Sequence, residues 1–90
     1  MSKGYVYILS NESMPGLVKI GRTSRAAEGR AQELFVTGVP TPFKVEESLL
    51  FPDAKRAESD LHKKLRKHRV YHGREFFRVS VDEAAKILWF

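Results

Sequence analysis

The stretch GYVYILSNESMPGLVKIGRT, residues 4–23, decides the fold. Gly4–Ser10 and Leu17–Thr23 are rich in aromatic and β-branched residues, and Asn11–Gly16 between them carries Pro15 and Gly16. Runs of the first kind favour extended chain and punctuation of the second kind favours a turn, so the stretch predicts two antiparallel strands joined by a loop. Alternation along a strand puts Val6 and Ile8 on one face with Val18 and Ile20. Tyr5, Tyr7 and Leu9 share the other face with Leu17, Lys19 and Gly21. A register that pairs Val6 near Ile20 sets Tyr7 opposite Lys19. The first face is a plain aliphatic core face, whereas the second sets a phenol beside an ammonium, which packing alone does not call for.

Outward from the hairpin, Ala26–Val36 has Ala27, Ala31, Leu34 and Phe35 at helical spacing, Ser24 for a cap and Gly38 for a stop; Arg30 lies at the edge of the apolar stripe. TGVPTPF, residues 37–43, leads into a third strand over Phe43–Phe51. Pro52 and Asp53 open a helix running to about Lys67, with Ala54, Ala57, Leu61 and Leu65 facing inward and most basic residues facing out. Arg69–Arg74 reads as a basic loop containing Gly73, and Glu75–Val79 as a short strand or a helix lead-in. Ser80 and Glu83 form a capping box for a last helix, Val81–Trp89. The expected architecture is one α+β domain over residues 1–90, with a central three-stranded, mainly antiparallel sheet flanked by helices.

A chain of 90 residues holds one small domain, which excludes a multidomain enzyme. With no cysteine there is no disulfide scaffold, thiolate zinc site or thiol nucleophile, a composition compatible with a reducing, cytoplasmic setting. No apolar run approaches the roughly 20 residues that span a bilayer, and no signal peptide is read, so no membrane role is expected. The net charge of +5 is unevenly placed: Asp53–Arg78 holds nine basic and four acidic residues, and the remainder is balanced. Such a stripe suits a nucleic acid backbone, and equally an acidic membrane or protein, or a solvated helix face. Glu75 is the only acidic residue between Lys63 and Val81 and is flanked by Arg74 and Arg78. A carboxylate in that setting pairs with the arginines or binds a cation. His68 and His72 are spaced like ligands, yet no cysteine or third ligand accompanies them, which argues against structural zinc.

Together these pieces resemble the GIY-YIG nuclease superfamily, and within it the small phage and bacterial subgroup typified by a T5-phage open reading frame. The residues that carry the resemblance are Val6-Tyr7 with Asn11, Lys19-Ile20-Gly21, Arg30 on the first helix, TGVPTPF, the Glu58-x-x-Leu61-His62 pattern, and Glu75 in REFF. The chain departs from the pattern at Tyr5, in place of the first glycine, and at Lys19, in place of tyrosine. It has no asparagine besides Asn11, so the Asn near the C-terminal end of several homing-type members has no counterpart.

The resemblance implies a metal-dependent DNA endonuclease with a single Mg²⁺ site, Mn²⁺ being an alternative. It assigns catalysis to Tyr7, Lys19, Arg30 and Glu75, with Glu75 as metal ligand and His62 in support; Tyr5 reads as a supporting or DNA-contacting residue, and Arg22, next to Gly21, as a second phosphate contact. A phenol with a pKa near 10 is a weak base, and a neighbouring Lys19 ammonium is expected to lower that value. Lys19 could alternatively hydrogen-bond the attacking water or the phosphate. Arg30 would offer its planar fork to phosphate oxygens. Lys63, Lys64, Arg66, Lys67, Arg69 and Arg74 form the expected duplex-backbone surface, with weak sequence choice because no recognition domain is appended. A monomer or weak homodimer is expected. The alternative is a DNA-binding module with this fold that lacks turnover and works within a larger assembly.

Overall fold

The computed structural model describes residues 2–70 and 74–89. His72 and Gly73, named above, lie outside them. Strands β1 (Gly4–Ser10) and β2 (Val18–Thr23) are followed by helix α1 (Ala27–Leu34), strand β3 (Lys44–Phe51), helix α2 (Ala54–Lys64), a 3₁₀ turn (Arg66–His68), strand β4 (Phe76–Phe77) and helix α3 (Val81–Trp89). The strands form one antiparallel sheet in the order β3-β1-β2-β4. The class is α+β as expected, but the sheet has four strands rather than three. β4 pairs Val18 with Phe77 and Lys19 with Phe76, and the Ile20 N–H donates to the Glu75 carbonyl just before it. Phe77 is fully buried, so core packing holds two residues against β2 that carry too little pattern to declare themselves.

The two faces of the hairpin are as the alternation predicts. Val6, Ile8, Val18 and Ile20 pack with Leu61 and Leu65 from the α2 side and Leu88 from α3. Tyr7 and Leu9 pack on the other face with Ala27 and Ala31 of α1. The register differs from the expected one by two residues: Ile8 pairs with Ile20 and Tyr7 with Gly21, while Lys19 faces Leu9. A shift of two preserves every residue's face, and so it leaves the hydrophobic pattern silent on the choice. Close approach at Gly21 accounts for it. A Cβ there would come within 2.5 Å of the Tyr7 hydroxyl and 2.8 Å of its Cζ, so only glycine leaves room for the phenol.

Helix ends also move inward. α1 starts after Ala26 with no side-chain cap, so Ser24 does not serve, and it stops at Leu34, leaving Phe35 and Val36 exposed. Val36 and Thr37 are β-branched, which weakens helix well before Gly38. α2 is capped by Asp53, whose carboxylate accepts from the Arg56 N–H at 3.3 Å. It ends at Lys64 rather than Lys67, the chain tightening into the 3₁₀ turn. The Ser80 hydroxyl accepts from the Glu83 N–H at 3.1 Å, which is the N-cap half of the expected capping box. No helix among the described residues is long and apolar enough to cross a membrane.

Candidate active site

Glu58 and His62 are four residues apart on α2 and so share one face of the helix. That face is fastened to β2. The His62 imidazole hydrogen-bonds the Ile20 carbonyl through Nε2 at 3.0 Å, and the Arg22 guanidinium pairs with Glu58 at 3.5 Å. Because a carbonyl only accepts, Nε2 carries the proton, and in the neutral ring the lone pair is on Nδ1. Glu75 arrives just ahead of β4 and takes the Lys19 ammonium at 3.4 Å. One potential ligand atom each from Glu58, His62 and Glu75 lies within 4.8 Å of the others, and all three residues are half-buried.

Two carboxyls so close cannot both ionise cheaply. Burial, followed by the Glu75 charge and a hydrogen bond between the two carboxyls, pushes Glu58 up to about 7, against the pull of Arg22. The pair therefore needs a shared proton or a cation between its oxygens. The two carboxylates offer the oxygen ligands that Mg²⁺ and Mn²⁺ favour, whereas the imidazole is a donor that softer ions such as Zn²⁺ favour more.

Tyr7 stands next to this cluster. The Arg30 guanidinium from α1 lies beside its hydroxyl and favours its ionised form, which the charges of Glu75 and Glu58 oppose. The expected lowering of its pKa is reversed: burial raises it, the two carboxylates raise it further, and Arg30 offsets this only in part. The reason is the register, which brings Gly21 opposite Tyr7 and leaves the Lys19 ammonium on Glu75. In the free protein Tyr7 is a neutral phenol.

Tyr7, Lys19, Arg22, Arg30, His62 and Glu75 thus converge from two strands, two helices and the residue that leads into β4. Tyr5 is half-buried two residues along the same strand face. Glu58, which the sequence reading left outside the site, is at its centre; its signal was the four-residue spacing to His62. Beside the cluster a groove of about 400 Å³ is lined by Arg22, Glu58 and His62 and by the basic side chains of Lys55, Lys63, Arg66 and Arg69. Arg69 also donates to the Arg74 carbonyl at 2.9 Å and lies 5.6 Å from the Phe77 ring centre. Arg74 borders Glu75 on the other side. Lys64 lines a different cleft, with Phe51, Asp53 and Ile87, and the exposed Lys67 is in the 3₁₀ turn.

A model of the T5orf172 domain matches residues 4–90, nearly the whole chain, and the chain belongs to that family of small nuclease-like, DNA-binding domains. No curated protein and no solved structure matches it.

Proposed function

Taking membership of the T5orf172 domain family as the premise, we propose that the chain is a metal-dependent DNA endonuclease of GIY-YIG type, hydrolysing phosphodiester bonds at the Glu58–His62–Glu75 cluster. The observation that carries this reading is the convergence of three potential ligand atoms within 4.8 Å beside a phenol–guanidinium pair and a basic groove. Glu58 and Glu75 would hold a Mg²⁺ or Mn²⁺ ion, with His62 completing the set. A divalent ion bound there would polarise a phosphate oxygen, acidify bound water and cancel the carboxylate charge that helps to keep Tyr7 protonated.

The chain's own residues supply the rest. Arg30 lies beside the Tyr7 hydroxyl and offers its N–H groups to a phosphate oxygen, where negative charge grows in the transition state. Tyr7 accepts the proton of the attacking water only as phenolate, so it first gives its own proton to solvent; the Arg30 guanidinium and a cation on its carboxylate neighbours favour that loss against the burial that opposes it. Lys19 holds Glu75 in position and adds positive charge beside the phosphate. Arg22 orients Glu58 in the same way. The groove beyond, through Lys63 and Arg66, binds the DNA backbone without reading sequence.

Nicking of supercoiled plasmid in Mg²⁺ or Mn²⁺ tests the reading. Glu75→Ala and Glu58→Gln should each lower the rate by at least about a hundredfold, of the order seen when a group stabilising the transition state is removed. Equal cutting by wild type and Glu75→Ala would sink the ligand assignment. Absence of cutting with retained DNA binding would favour a binding module.

A further inference from the structure

The cluster separates two unlike surfaces. Glu58 and His62 line the basic groove, whereas Glu75 lines a second cleft of about 300 Å³. The walls of this cleft are apolar, formed by Leu34 at the end of α1, Val39 and Phe43 before β3, and Phe76 of β4. The Phe43 and Phe76 rings are 6.4 Å apart and tilted by 35°. Its rim is cationic: Arg74 borders it, and the Lys19 ammonium lies 5.2 Å from the Phe76 ring centre while bonded to Glu75.

A fully paired duplex offers a protein phosphates, sugars and base edges, with the faces of its bases stacked away inside. Apolar and aromatic walls beside phosphate-binding cations complement something else, a nucleotide whose base has left the stack. Charge and position agree on this occupant. The cationic rim adjoins Glu75, and the cleft and the basic groove are each lined by part of the same cluster, Glu75 in the one and Glu58 with His62 in the other. We propose that the site takes DNA carrying an unpaired nucleotide next to the scissile phosphate, with the unstacked base seated among Leu34, Val39, Phe43 and Phe76. This rests on the nuclease reading and narrows it from DNA in general to strands with a bulge, flap or distortion at the cut.

Fluorescence anisotropy in EDTA, where no cutting is expected, tests it with three probes of one sequence: a paired duplex, the duplex with one extra unpaired thymidine, and the duplex with an abasic residue at that bulge. The 90-residue chain should bind the thymidine bulge about tenfold more tightly than the abasic one, within the range that base–aromatic stacking supports. Phe43→Ala and the uncharged Val39→Ser, checked for unchanged melting, should each abolish that preference and leave abasic binding as it was. Lys63→Ala with Arg66→Ala should weaken all three probes alike and keep the ratio. Equal wild-type affinity for the thymidine and abasic bulges overturns the unpaired-base proposal while leaving the nuclease reading standing. Failure to bind any probe in EDTA also overturns the unpaired-base proposal, whereas the nuclease reading is decided by nicking in Mg²⁺ or Mn²⁺.

Discussion

Glu58 shows what a single residue's environment can decide. Its carboxyl titrates near 7 in the folded chain, against an ordinary value of 4.5, because it is buried beside Glu75. Between those two pH values the folded protein keeps a proton that the unfolded chain releases, so stability falls as pH rises from about 4.5 to about 7 and levels off above. The loss is of order 1–3 kcal/mol. In EDTA the melting temperature of the wild type relative to Glu58→Gln should therefore drop between pH 5 and pH 8; parallel pH profiles for the two proteins would contradict it. Gly21 makes a second residue-scale case. Gly21→Ala forces a Cβ into the Tyr7 phenol and should cost roughly 1–3 kcal/mol in denaturant melts, with most of it recovered when Tyr7→Ala opens the space. Tyr7, Lys19, Arg30 and Glu75 could be named from the sequence because each lies in a short recognisable string. Their partners could not, since pairing depends on a register that glycine sterics set and hydrophobic alternation does not see.

Among the elements, those with long periodic patterns were legible: β1, β2, β3, α2 and α3 lie within a few residues of their expected bounds. β4 was legible only as an ambiguity, because two residues have no period. Yet Phe77 is fully buried and locks Glu75 to β2 through the Ile20–Glu75 backbone hydrogen bond. Its removal should act on fold and site together. Phe77→Ala is expected to destabilise by about 3–5 kcal/mol, the usual cost of emptying an aromatic core position, whereas Phe77→Leu should restore most of the loss. Equal stability of wild type and Phe77→Ala would show that β4 is an ornament on a three-stranded sheet. The cap of α2 is a smaller, separable contribution. Asp53→Ala should cost about 1 kcal/mol without touching the cluster, for Asp53 lies a full turn before Glu58.

At the scale of the whole molecule, the charge of +5 is a surface property, and the fold sorts what composition alone runs together. Lys63 and Lys64 are adjacent in sequence and equally basic, yet Lys63 lines the groove beside Glu58 and His62 while Lys64 turns to the cleft between α2 and α3. Helical geometry causes this, since consecutive residues point about 100° apart. DNA held in the groove releases counterions only for the phosphates it neutralises there, so the slope of log affinity against log salt counts groove cations and ignores the rest. Lys63→Ala and Arg66→Ala should each reduce that slope by about 0.9, and their combination by about twice as much. Lys64→Ala, which removes the same charge from the chain, should leave the slope where it was. Were Lys64→Ala to flatten the salt dependence as much as Lys63→Ala, the attraction would belong to the net charge and the groove would lose its claim to the DNA.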